Sequence, residues 1–135
     1  MRTKFAALVC ACAAQASFAC GICVEDRVAA VFDSAVVEQA LGARRHVAFY
    51  GIEGSLPATK ASARVLLDAV YASGAAKSSA RVSLESASVS AAFDPSKTSV
   101  ARLQEDAGRR LAGKGLALTA LRVIDEGGVL KEPVR

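Results

Sequence analysis

Three stops punctuate the chain. Gly42, Gly74 and the run Gly113-Lys114-Gly115 each close a stretch whose apolar residues recur at helical spacing. Glycine just past the last periodic residue is a common helix terminator. Ahead of Gly42, the residues Val24, Val28, Val31, Ala35 and Gln39 keep this period, and Phe32, Val36 and Ala40 widen the stripe, so the spacing predicts one amphipathic helix. Ahead of Gly74, Ser55 caps and Pro57 fits a first turn, with Leu56, Ala63, Leu66, Leu67, Val70 and Tyr71 as the apolar face. Ahead of Gly113, Thr98 or Ser99 caps a helix whose inward stripe is Val100, Leu103, Ala107 and Leu111.

Strands fill the intervals. After the polar connector Ala43-Arg44-Arg45, His46 to Ile52 is rich in β-formers. Ala80 to Val89 alternates, with Val82, Leu84 and Ala87 on one face, and Ser90 to Phe93 continues as a further strand until Asp94-Pro95 turns the chain. Leu116 to Ile124 reads as the last strand, and residues 126–135 as a flexible tail. From residue 46 the order is strand, helix, strand, strand, helix, strand. That is the split βαβ pattern of an α+β, ferredoxin-like βαββαβ sandwich, here with an extra N-terminal helix.

The first residues point to export. Met1 to Lys4 is a short basic leader, Phe5 to Ala14 is apolar, and Ser17 and Ala19 are small. This architecture predicts a cleavable secretory signal over residues 1–19, cut before Cys20, and a periplasmic destination. A cysteine directly after the cut also allows acylation and a lipoprotein. The apolar run is shorter than the ~20 residues that span a bilayer. Loss of Arg2 and Lys4 lowers the formal charge from +4 to +2 and leaves 116 residues, which fits one domain. No basic cluster is interleaved with aromatics and Trp is absent, so nothing supports nucleic-acid binding.

Cleavage would remove Cys10 and Cys12 and leave Cys20-Gly21-Ile22-Cys23 at the head of the chain. Two thiols three residues apart at a helix start chelate a soft metal, exchange disulfides or close into a staple. As the first residue, Cys20 offers an α-amine beside its sulfur, and Cys23 adds a second sulfur about one helical turn away. Donors of this kind suit Cu(I), with Zn(II) second in order. His46, the sole histidine, starts the first strand. It reads as a solvated or capping residue, and as a further ligand if the first helix folds back onto that strand end. With one histidine and no paired carboxylates, the sequence offers no catalytic grouping and no enzyme is expected.

The run Val89-Ser90-Ala91-Ala92-Phe93-Asp94-Pro95-Ser96-Lys97-Thr98-Ser99-Val100, followed by Leu103, resembles the second half of heavy-metal-associated domains. Gly51-Ile52 is similar to the Gly-Met that closes that family's first strand, and Val65, Ala69 and Gly74 match its first helix and stop. The resemblance covers about residues 46–125 and implies a copper chaperone or transporter module of ferredoxin-like fold. It departs at the site. Counting back from Val65 puts the family's two cysteines at Ala58 and Ala61, and Glu53 to Pro57 lengthen the loop. The only C-x-x-C of the expected mature chain lies instead at the head of the added N-terminal helix segment, residues 20–42.

The sequence therefore leads to an exported, periplasmic binder of heavy metal, most simply a Cu(I) chaperone or scavenger acting through Cys20 and Cys23. Its partners would be the metal ion and a membrane metal transporter or periplasmic protein. The alternatives are a thiol–disulfide exchange protein and a non-catalytic interaction module that docks through an exposed sheet or the extra helix.

Overall fold

The computed structural model describes residues 23–134. Its elements run α1 (Val24–Ala30), α2 (Ser34–Gly42), β1 (His46–Glu53), α3 (Lys60–Ala72), β2 (Arg81–Ser83), β3 (Ser88–Phe93), α4 (Val100–Leu111), β4 (Ala117–Ile124) and β5 (Leu130–Lys131). The fold is α+β, built on one antiparallel five-stranded sheet of order β2-β3-β1-β4-β5. From this order and pairing, β1 and β2 run parallel with β3 between them, and β3 and β4 run parallel with β1 between them. The helices α3 and α4 make those two crossovers.

Alternation along β1 divides the core. Ala48, Tyr50 and Ile52 point to one side, where they meet Leu66 and Val70 of α3 and Leu103, Ala107 and Leu111 of α4. Val47 and Phe49 point to the other and meet Val28 and Val31 beside α1 and Ala40 of α2. The period-2 geometry of a strand thus puts helices on both faces of the sheet. A bulge on β4 keeps this division in register. The β1 pairing steps from Arg122 opposite Phe49 to Ala120 opposite Tyr50, so Leu121 is the extra residue. Tyr50 donates its hydroxyl to the Val100 carbonyl at 2.9 Å and ties the centre of the sheet to the first turn of α4. Burial pushes its ionisation up.

Four sequence expectations are corrected. The single helix to Gly42 is two helices, because Asp33 adopts an extended conformation and its carboxylate accepts the Ala35 and Val36 N–H groups. The second helix starts after Thr59, not at Ser55: the Thr59 hydroxyl accepts the Ser62 N–H, and Leu56 stays in the loop. The 80–89 segment is not one strand, since Leu84 to Ala87 form the turn between β2 and β3. Part of the expected flexible tail is β5, paired with Val123 and Ile124. The long loop after β1 turns at Gly54, where φ is +109° and a Cβ would press on the Gly115 carbonyl oxygen.

Candidate functional site at the start of the first helix

Cys23 is the residue that leads into α1. Its backbone is extended, its carbonyl accepts the Arg27 N–H at 3.1 Å, and its side chain is exposed. The thiol donates to a carboxylate oxygen of Asp26 at 3.0 Å. One turn of helix accounts for this, because residues three apart share a face. Glu25 and Asp26 both lie in the first turn, so two carboxylates flank the helix start. The pair places one sulfur and one carboxylate side by side, a mixed soft and hard donor set within reach of a single cation. Asp26 lies outside the donor set that the cysteine spacing picks out, and the signal for it is the spacing Cys23-x-x-Asp26 ahead of a helix.

The sheet fixes where this helix start lies. Arg27 crosses the bare backbone of Gly51, donates to the Ser86 carbonyl at 3.3 Å and stands 3.9 Å from a carboxylate oxygen of Glu53. A Cβ on Gly51 would lie 2.7 Å from the Arg27 guanidinium, so glycine leaves the room the arginine occupies. Glu25 accepts from Arg122 of β4 at 2.8 Å. The Arg27 anchor lies at the closing end of β1, and the Glu25 anchor lies on β4 opposite Phe49, at the middle of β1.

His46 stands at the opposite, opening end of β1. Its ring meets Phe93 edge-on at 5.7 Å, and its Nε2 is buried without a hydrogen-bond partner. It borders a cleft of about 430 Å³ formed with Phe93, Thr98, Val100, Val123, Asp125 and Val134. The carboxyl of Asp125 is held below the usual carboxylate range, first by a hydrogen bond from Lys131, then by the Gly127 N–H, with the charges of Lys131 and His46 adding to it.

Of the sequence-derived site residues, His46 packs on Phe93 and faces α4, on the Ala48–Tyr50 side of β1, whereas Cys23 leads into α1 on the other side of the sheet, so the two are not brought together; Cys20 lies outside the described residues. Ala58 precedes the cap of α3 and Ala61 is its second residue, both exposed. Among the described residues no group of three or more His, Cys, Asp or Glu side chains is placed to hold a metal ion, and no helix is long and apolar enough to cross a membrane. The sheet face opposite α3 and α4 is covered by α1 and α2. No family model, no curated protein and no solved structure matches the chain.

Proposed function

We propose that the chain is an exported, periplasmic metal-binding protein that holds Cu(I), with Zn(II) as the second choice, through the sulfurs of Cys20 and Cys23. The observation that carries this is the exposed Cys23 thiol with the Asp26 carboxylate 3.0 Å away, on a helix pinned to the sheet through Arg27 and Glu25. Two sulfurs three residues apart make a compact soft site. Asp26 adds the oxygen donor that a borderline cation accepts. We leave His46, the further ligand the sequence allowed, out of this set on the ground that it faces α4 while Cys23 leads into α1 on the other side of the sheet.

We also read the β1-to-β4 unit as ferredoxin-like. The β2-β3-β1-β4 order with α3 and α4 as crossovers supports that reading, and α1, α2 and β5 are then additions to it. The role that follows is carriage of a metal ion to a membrane transporter or periplasmic acceptor, with no chemistry performed on it.

The test is titration of the protein beginning at Cys20 with Cu(I) under reducing conditions, beside Cys20→Ser, Cys23→Ser and the double variant. Each single variant is expected to lose tight binding and the double variant to lose it entirely. Stoichiometric tight binding by the double variant would remove the assignment. A thiol–disulfide role predicts instead a Cys20–Cys23 couple with a reduction potential above about −300 mV, the range of labile and catalytic disulfides.

A further inference from the structure

The C-terminal segment is held in an unusual way for chain that crosses a cleft. Its apolar side chains contribute little burial: Val129 is 59%, Leu130 42% and Val134 89% exposed. Its strand pairing amounts to Leu130 opposite Ile124 and Lys131 opposite Val123. The remaining hold converges on one residue. The Asp125 carboxylate accepts the Gly127 N–H at 3.0 Å and the Lys131 ammonium at 2.7 Å, while its backbone carbonyl accepts the Gly128 N–H at 2.9 Å.

Beyond Lys131 the segment runs on without pairing. Continued register would put Pro133 opposite Leu121, and proline has no N–H to give. The outer edge of β4 is served there by a side chain, since Gln104 accepts the Ala120 N–H at 2.8 Å. Between this edge, α4 and residues 132–134 lies a groove of about 440 Å³. It shares Val100, Ala101 and Val134 with the cleft at His46. Val134 is thus the one residue of the segment that borders both.

We infer that residues 125–134 form a strap, latched by Asp125, that opens without the rest of the sheet and merges the His46 cleft with the groove along β4. Elements with few buried apolar contacts and exposed hydrogen bonds open at low free energy, and this segment has both properties. Opening also bares the outer edge of Val123 and Ile124, extending the edge that Gln104 guards.

Residue-resolved hydrogen exchange on the full chain tests this, with Lys131→Ala as the main variant and Asp125→Asn as the second. Lys131→Ala leaves the Asp125 charge beside His46 intact, so a change in the His46 ring resonances reports movement of the strap. The expected result is exchange of the β4–β5 amides faster by about two- to fivefold in Lys131→Ala, the range of an exposed ion pair. The β1–β3 amides keep their wild-type rates and the His46 resonances shift. Asp125→Asn should give at least as large an acceleration, and high salt should accelerate the wild type but not Lys131→Ala. Equal protection of β4–β5 and β1–β3 amides in the wild type overturns the inference. So does an unchanged β4–β5 rate in both variants.

Discussion

On one face of the sheet, α3 and α4, of 13 and 12 residues, bury Leu66, Val70, Leu103 and Leu111 completely. On the other, α1 and α2 have 7 and 9 residues and bury smaller groups such as Val28, Val36 and Ala40. Polar bonds make up part of the difference. Ser90 donates its hydroxyl to the Val31 carbonyl at 2.8 Å in a buried position, Arg81 pairs with Asp33 at 2.9 Å, and Arg122 pairs with Glu25. The long helices adhere through apolar area, which is non-directional. The short pair depends on specific donors and acceptors, which set its position on the sheet more than its strength. The helix bearing Cys23 belongs to the second kind of layer.

The largest effect that would sharpen this contrast is at Leu103. Leu103→Ala empties a fully buried position of the main core and should cost about 2–5 kcal/mol, seen as an earlier single transition in denaturant. Gly51→Ala comes next. Its Cβ displaces the Arg27 guanidinium and should cost about 1–3 kcal/mol. Amide exchange should rise more in α1 than in α4. If exchange rises equally in both, the two faces are one cooperative unit and the contrast is broken.

The smallest effect is electrostatic. Asp33 is held below the ordinary carboxylate range, first by the Val36 N–H and then by Arg81. A lowered folded value means its contribution is present above the unfolded pKa, about 3.9, and is lost as pH falls through the folded value. Asp33→Asn keeps the capping oxygen and loses the charge, so the stability gap to wild type should narrow as pH drops below about 4. A gap independent of pH would show that the charge contributes nothing to holding α2.

Much of the main layer was legible in the sequence. The stripes of α3 and α4, the stops after them and β1 all follow from period and glycine placement. What was not legible depended on local competition or on tertiary contact. Val24 to Ala40 keeps helical spacing through residues 31–33, so periodicity alone could not show the break. The signal was Asp33 followed by Ser34, a capping pair inside an apolar stripe. Both Ser55 and Thr59 are competent caps, and only Thr59 is close enough to Ser62 to exchange both of its bonds. β5 is two residues long and exists through pairing with β4, which no local pattern encodes. Of the candidate site, Cys23 at a helix start and His46 at the head of β1 were legible from period and spacing, whereas their separation onto opposite faces of the sheet depends on the helical pair folding over Val47 and Phe49, which no local pattern encodes.

The hydrogen bond from Tyr50 to Val100 gives the protein an internal optical gauge. Trp is absent and there are two tyrosines, so near-ultraviolet absorbance above the peptide band reports chiefly Tyr50 and Tyr71. With burial pushing the Tyr50 ionisation up, its phenolate band in alkali emerges together with opening of the layer that α4 covers. In a Tyr71→Phe background that band belongs to Tyr50 alone. A simple alkaline absorbance titration then measures the integrity of the main layer without any label, independently of events at Cys23.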